Sequence, residues 1–276
     1  MTDRTKAPET NSGLIVGKYG DAAGYDSYMG HWSSALAPLF LDFAALQQPA
    51  SLLDIGCGTG SLLVAAASLF PNARLVGIDP SAALLRKARA RAELARAELL
   101  DGAAERLPFA DATFDGCLSL LVLQEFADRF GTLREMRRVT RPGGIVAACQ
   151  WDFARMPVIA ALVDAIAAID PREGERLATR SPDLIGSEAE LAAAWHGAGF
   201  LEVTASRIEV IRRYRDFGDL WTSLLGGSTP STLMLTALPA DKRETVRQRM
   251  QPRFHGAPPP AGLEITAEAL VVRGRA

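Results

Sequence analysis

Three glycines and two acids in the first third of the chain are the residues best suited to chemistry. The segment Leu52–Gly60, LLDIGCGTG, places an apolar pair before Asp54 and then glycines at alternate positions. The glycine backbone of such a turn can take positive φ and approach a ligand closely. Asp54 can accept hydrogen bonds from a ligand ammonium. Asp79 follows the apolar run 74–78. Its distance from the glycine turn is the one at which a second parallel strand places a carboxylate on a ribose diol.

Alternating strands and helices must position these residues, and the apolar pattern predicts them. The central strand is nearly continuously apolar, as a strand covered on both faces should be. The predicted strands are Ser51–Ile55, Ala73–Ile78, Ala97–Leu100, Phe114–Leu121, Ile145–Gln150, Leu201–Ile211 and Glu264–Arg273. The predicted helices include Ser61–Phe70, a helix capped by Ser81 that reaches about Ala95, Phe130–Thr140, Pro157–Ile169, Ser187–Ala198 and 240–249. We expect a tight turn at 141–144 and a loop over the GGSTPST segment from Gly226.

Several motifs together resemble a known family. The G-x-G-x-G turn with an acid two residues earlier differs from the dinucleotide fingerprint G-x-G-x-x-G and resembles motif I of the class I S-adenosylmethionine (SAM)-dependent methyltransferases. The segment YDSYMGHWS from Tyr25 resembles one found before motif I in a methyltransferase type 11-like, small-molecule group. The stretches ERLPFADATFD and REMRRVTRPGG resemble the family's approach to its fourth strand and the elements that close its core. The resemblance covers residues 21 to 152 by motif and the rest by architecture.

This resemblance implies an α/β fold, a Rossmann-like seven-stranded sheet in strand order 3-2-1-4-5-7-6, with the last strand antiparallel and helical cap insertions. We expect residues 1–20 to be a disordered tail and 21–276 to form a single methyltransferase domain. Within it we expect a lid at 21–46, a core at 47–152 and cap insertions at about 153–200 and 212–262. Trp151 and Asp152 should emerge at the same sheet edge as Asp54, Asp79 and Gln124.

The resemblance also implies SAM as cofactor, with S-adenosylhomocysteine (SAH) as its product. Asp54, Gly56 and Gly58 should hold the methionine portion, and Asp79 the ribose. The full set of expected cofactor-binding residues is Tyr25, Tyr28, Trp32, Asp54, Gly56, Cys57, Gly58, Asp79, Pro80, Ala103, Ala104, Glu105, Leu120 and Gln124. One position departs from the family, because Ala103 stands where an acid often meets the adenine amino group. Asp101, Glu105 or the backbone around Ala104 can take that part.

Methyl transfer from a sulfonium needs alignment and exclusion of water more than a strong acid or base. If the acceptor is a phenol, a hydroxyl or a protonated amine, a base would help to remove its proton. His31, Glu125 and Asp152 are the candidate catalytic residues. Cys57, Cys117 and Cys149 lack metal-ligand spacing, so we predict reduced core thiols and no metal.

Composition limits the possible partners. The 276 residues carry a net charge of -2, and the arginines are scattered, which argues against nucleic acid and anionic membranes. The polar amino terminus and the absence of a long apolar run predict a cytoplasmic protein. We expect a small, partly apolar methyl acceptor, such as an aromatic natural product, a quinone precursor, a lipid-like acid or an amine, and a monomer or homodimer.

Two other functions fit part of the pattern. A non-catalytic SAM-binding scaffold or regulator would keep Asp54, Asp79 and the glycines, and only turnover would separate it from an enzyme. A nicotinamide-dependent dehydrogenase would share the sheet and the ribose-binding acid. Its glycine spacing differs from the one found here, and it leaves the later motifs unexplained.

Overall fold

Seven strands form one sheet in the order β3-β2-β1-β4-β5-β7-β6. The computed structural model describes residues 29–178, 185–227, 229–254 and 262–276. The strands are β1 (Ser51–Ile55), β2 (Arg74–Asp79), β3 (Glu98–Asp101), β4 (Phe114–Leu120), β5 (Thr140–Trp151), β6 (Leu201–Tyr214) and β7 (Leu263–Arg275). β1 to β5 pair in parallel, and β7 pairs antiparallel with both β5 and β6. The predicted strand order and the antiparallel last strand are confirmed.

Helices cover both faces of the sheet. They are α1 (His31–Ala44), α2 (Ser61–Leu69), α3 (Ala82–Arg89), α4 (Arg129–Val139), α5 (Pro157–Ala167), α6 (Pro171–Ala178), α7 (Glu188–Gly197), α8 (Phe217–Leu225), α9 (Pro230–Ala237) and α10 (Ala240–Met250). Buried side chains of α1 and α2 pack on one face, and those of α4 and α7 pack on the other. β1 is buried along its whole length because it lies between these two layers. Cys57, Cys117 and Cys149 are free thiols and are buried, as predicted.

The helix after β2 is shorter than its sequence predicts. Ser81 caps α3 as expected, with its Oγ accepting a hydrogen bond from the Leu84 amide. α3 ends at Arg89, however, and a 3-10 turn follows at Ala92–Leu94. The Leu94 side chain is buried against Gly60, which fixes the chain where it must turn back to begin β3. Tertiary packing therefore overrides the helical propensity of the alanine-rich segment.

Two segments expected to be irregular lie partly within longer elements. Residues 141–144 fall inside β5, which starts at Thr140, but the register against β4 shifts across them and Gly143 has a φ of 78°, so the predicted irregularity is present within the strand. Part of the loop predicted from Gly226 forms α9, whose first turn is capped when the Thr229 side chain accepts from the Thr232 amide. α6 had no predicted counterpart. No helix among the described residues is long and apolar enough to cross a bilayer.

The last two strands project beyond the rest of the sheet. β5 ends at Trp151, which pairs with Ala269 of β7, and Ala269 pairs with Ile208 of β6. β6 and β7 stay paired for six more residues, to Tyr214 and Leu263, which extends them by about 20 Å. We call residues 209–214 and 263–268 the β6–β7 arm. α8, α9 and α10 connect its two strands, and α5 packs against α9 and α10.

Candidate functional site

The glycine turn joins β1 to α2 at the carboxyl edge of the sheet. Gly56, Gly58 and Gly60 all have positive φ, as predicted. The amides of Gly56 and Cys57 both donate to the Ile78 carbonyl, at 2.8 and 3.1 Å, which fixes the turn against β2. A Cβ on Gly56 would lie 2.7 Å from the Val122 side chain. Only glycine therefore fits the first position of this turn.

Asp79 closes the turn from β2. Its Oδ2 accepts from the Gly58 amide at 2.8 Å, and its Oδ1 accepts from the Ser81 amide at 2.8 Å. Burial raises the pKa of Asp79, the two backbone hydrogen bonds oppose this rise, and the charge of Asp101 adds to it. A carboxylate offers about four lone-pair sites, so each oxygen can accept a further hydrogen bond from a ligand.

Asp54 lies beside Asp79 with a different environment. It is 2% exposed, and among the described residues neither of its carboxylate oxygens has a hydrogen-bond partner. Burial raises the pKa of Asp54 well above its usual value, and the neighbouring charge of Asp79 raises it further. A buried carboxylate without a donor is costly, and a cationic ligand would relieve that cost.

A small cavity lies beside Asp54. Its volume is about 10 Å³, which is room for one water molecule at most. It is lined by Ser33, Asp54, Gly56, Cys57, Thr59, Ser61, Leu62 and Leu120. Four of these residues were predicted, whereas Ser33, Thr59, Ser61 and Leu62 were not. Ser61 follows the last glycine directly and Ser33 ends the YDSYMGHWS segment, so proximity to the motifs was the available signal.

The expected adenine-binding residues lie in the loop after β3. The Gly102 amide donates to the Asp79 carbonyl at 3.3 Å, which holds the start of this loop near the predicted ribose site. Ala103 and Glu105 are exposed and Ala104 is half-buried. One Glu105 carboxylate oxygen accepts from the Ala127 amide at 3.3 Å. The loop therefore borders the site, and its contact with adenine stays a prediction.

Gln124 follows β4 at the same edge, in a 3-10 turn over Leu123–Glu125. Its Nε2 donates to the Leu121 carbonyl at 2.9 Å. Its buried Oε1 has no hydrogen-bond partner among the described residues. Leu121 has a φ of 63°, a left-handed conformation that a leucine rarely adopts, and this strained turn redirects the chain away from β4.

The candidate catalytic residues occupy three different environments. His31 is exposed at the first turn of α1, and Glu125 is half-buried in the turn after β4. Asp152 is 3% exposed, and its Oδ2 lies 3.3 Å from Arg207 Nε and 3.8 Å from Arg155 Nε. Asp152 therefore belongs to an ion-pair network that ties β5 to β6. The predictions for Tyr25 and Tyr28 lie outside the described residues.

Trp32 is in the first turn of α1 and is 2% exposed. Its ring meets that of Trp151 edge to face, with the centroids 5.9 Å apart. Pro80 follows β2 and is half-buried. The carboxyl ends of β1, β2, β4 and β5 thus bring Asp54, Asp79, Gln124 and Trp151 to one edge, as strand parallelism requires.

Comparison with known proteins identifies the family. Residues 53–148 match the family model described as a methyltransferase domain. The chain is 30% identical over 202 residues to a demethylmenaquinone methyltransferase of Roseiflexus sp. (strain RS-1), which covers 66% of this chain and 83% of that protein. It is 32% identical over 196 residues to a malonyl-[acyl-carrier protein] O-methyltransferase of Pseudescherichia vulneris, covering 70% and 72% of the two chains.

Among solved structures, the YcgJ protein of Bacillus subtilis has the same fold, with a TM-score of 0.54 at 20% identity over 89% of this chain and 98% of that one. The sheet order, the glycine motif and these relatives all indicate the same family. The chain belongs to the class I SAM-dependent methyltransferase family and is a methyltransferase enzyme.

Proposed function

We propose that the chain binds SAM across the carboxyl ends of β1 and β2 and transfers its methyl group to a small, partly apolar organic molecule. The observation that carries this proposal is the buried Asp54 carboxylate, whose oxygens lack hydrogen-bond donors among the described residues. Leaving such a group unsatisfied costs about 1–3 kcal/mol or more. The ammonium of the methionine portion would supply both the missing donors and the missing charge.

The neighbouring groups fit the rest of the cofactor. Gly56 leaves no room for a side chain, so the backbone of the turn can lie against a ligand. The two backbone hydrogen bonds to Asp79 fix its carboxylate, and its remaining lone pairs suit a ribose diol. The loop at 103–105, held by the Gly102 amide, would border the adenine.

SAM when bound supplies a methyl group already activated on a sulfonium. The protein residues then have to hold the acceptor in line and exclude water, which can contribute about 7–11 kcal/mol to lowering the barrier. Ser33 on α1 and Leu120 on β4 line the cavity beside Asp54.

The relatives support an organic acceptor. Their names give demethylmenaquinone and malonyl-[acyl-carrier protein] as the molecules that those enzymes methylate. For an acceptor that carries a proton, His31 and Glu125 remain the base candidates with some exposure, since Asp152 is buried. The β6–β7 arm with α8–α10 would cover the acceptor.

Calorimetric titration of the cofactor-stripped protein with SAM, and separately with SAH, tests the cofactor site. We expect both to bind the wild type, and NADH to give no heat. Acceptors are then screened by SAH release. A wild-type protein that binds neither SAM nor SAH would contradict the proposal.

A further inference from the structure

Four side chains meet between α1, the end of β5 and the β6–β7 arm. Trp32 and Trp151 are in edge-to-face contact, and the Arg212 guanidinium lies 4.4 Å from the centroid of the Tyr214 ring and 6.0 Å from that of Trp32. We call Trp32, Trp151, Arg212 and Tyr214 the indole cluster. Three separate parts of the chain build it, so it forms only in the folded protein.

The indole cluster adjoins the cavity beside Asp54. Ser33, the neighbour of Trp32, lines that cavity, and so does Leu120. Leu120 pairs with Cys149, two residues before Trp151 on the same face of β5. In the sheet order, β2 and β1 carry Asp79 and Asp54, and β4 and β5 follow on the other side. The cluster therefore lies beyond Asp54, on the side away from the predicted ribose site.

The cluster holds buried donors without acceptors. Trp32, Trp151 and Tyr214 are each no more than 3% exposed, yet their Nε1 and Oη atoms make no hydrogen bond among the described residues. The Tyr214 hydroxyl lies near the Ser223 side chain and the Trp32 indole without reaching hydrogen-bond geometry. Burial raises the pKa of Tyr214, and the charge of Arg212 and these two neighbours oppose the rise. By contrast, the equally buried Trp195 donates its Nε1–H to the Val146 carbonyl at 3.3 Å.

Unsatisfied buried donors cost about 1–3 kcal/mol each, so a ligand that accepts from them would gain affinity. Two buried indole N–H donors beside a guanidinium, whose charge also acts on Asp219, favour an oxygen-rich, negatively charged group. The three rings of the indole cluster belong to a large hydrophobic core that also contains Phe217, Trp221 and Phe254. Phe217 and Phe254 stack with their centroids 6.2 Å apart. The complementary molecule therefore has an apolar body and an anionic oxygen.

We propose that the indole cluster is the acceptor site and that the acceptor is an apolar carboxylate, held by the Trp32 and Trp151 N–H groups and by Arg212. This inference rests on the proposed function and specifies its substrate class. A carboxylate is ionised near neutral pH, so it needs no base, and the engagement of Asp152 by Arg207 then costs nothing in catalysis. Methylation forms one carbon–oxygen bond and breaks one carbon–sulfur bond, giving a methyl ester and SAH without release of a proton.

The test follows the indole N–H resonances of the four tryptophans in the 15N-labelled protein saturated with SAH. The probes are benzoate, cinnamate and octanoate, each paired with its own methyl ester. We expect at least one carboxylate to shift the Trp32 and Trp151 resonances and to leave that of Trp195 in place. Its methyl ester should bind about tenfold more weakly or not at all, because it lacks the charge.

Three variants assign the effect. Trp151→Phe keeps an aromatic ring and removes one donor, and Arg212→Gln removes the charge from a half-buried position. Each should weaken the carboxylate about tenfold and leave SAH affinity unchanged, whereas Trp195→Phe should leave both affinities unchanged.

Wild-type protein that binds SAH but shows no carboxylate-dependent shift would overturn the acceptor assignment and leave the proposed function standing. Equal binding of carboxylate and ester would also overturn it. Failure to bind SAH would instead count against the proposed function.

Discussion

Aspartates at the two edges of the sheet have opposite hydrogen-bonding environments. At the carboxyl edge, Asp54 is buried with no hydrogen-bond donor to either oxygen among the described residues. At the amino edge, Asp115 near the start of β4 accepts from the amides of Ala50 and Ser51 at 2.8 Å and from the Ser51 hydroxyl at 3.0 Å. It also accepts from Arg141 Nη1 at 2.5 Å.

The pKa values follow these contacts. Burial would raise the pKa of Asp115, but the hydrogen bonds from Ser51 and Ala50 and the charge of Arg141 outweigh it and lower the pKa. For Asp54, burial and Asp79 both raise the pKa. Asp115 thus connects β1, β4 and β5, whereas Asp54 has no hydrogen-bond donor among the described residues. A carboxylate that lacks local partners is the stronger indicator of a binding site.

The largest expected effect comes from Asp54→Asn. Removing the charge should weaken SAM binding by about a hundredfold, because a charge-assisted interaction in a buried site is lost. The free energy of unfolding of the cofactor-free protein should stay the same or rise, since a buried unpaired charge disappears. Calorimetry and urea unfolding measure the two quantities. A variant that loses stability but keeps SAM affinity would show that Asp54 is a structural residue.

Asp115→Asn is the matched substitution at the other edge. It should lower the free energy of unfolding by about 2 kcal/mol, because a carboxylate with four donors becomes a neutral amide that cannot accept from all of them. SAM affinity should not change. Urea unfolding at neutral pH checks the first expectation, and calorimetry on the folded variant checks the second. A hundredfold loss of SAM affinity here would remove the distinction between the two edges.

Glycines offer a smaller and independent contrast. Gly56 (φ 69°) and Gly143 (φ 78°) lie at opposite edges, and a Cβ would meet Val122 at the first and open space at the second. Alanine at either position should lower the free energy of unfolding by about 1 kcal/mol, because the backbone there is left-handed. Gly56→Ala should lose about 1 kcal/mol more and should also weaken SAM binding. Thermal unfolding with and without SAM gives both numbers, and equal behaviour of the two variants would contradict the close packing of the turn.

The smallest expected effect is on pH dependence. An acid with a raised folded pKa destabilises the protein at neutral pH, and this penalty disappears as the pH falls from the folded pKa towards the unfolded value of about 3.9. An acid with a lowered pKa stabilises above about pH 3.9, and its contribution is lost as the pH falls through the folded pKa. Asp54→Asn should therefore reduce the gain in stability on mild acidification, and Asp115→Asn should reduce the loss at lower pH.

Unfolding curves for the two variants and the wild type, collected without SAM from neutral to acidic pH, separate these contributions. The difference between each variant and the wild type removes the effect of other acids. If the difference in unfolding free energy between Asp54→Asn and the wild type does not change with pH, the pKa of Asp54 is not raised in the folded protein.

The sequence predicted the carboxyl edge better than the elements around it. Asp54, Asp79 and the three glycines could be found because a turn that contacts a ligand must satisfy steric rules within a few residues. The indole cluster could not be found, because Trp32, Trp151 and Tyr214 are far apart along the chain and meet only where α1 packs against β5 and β6. The end of α3 at Arg89 was also missed, since it depends on the packing of Leu94 against Gly60.

The position of β7 has a consequence for biosynthesis. β6 ends at Tyr214, yet β7, which pairs with both β5 and β6, begins only at Leu263. During translation, the edge of β5 stays without its neighbour until residues 263–275 have left the ribosome. A long unpaired strand edge favours association with other chains. Premature termination within α10 should thus yield aggregation-prone fragments in which β5 and β6 have no strand between them.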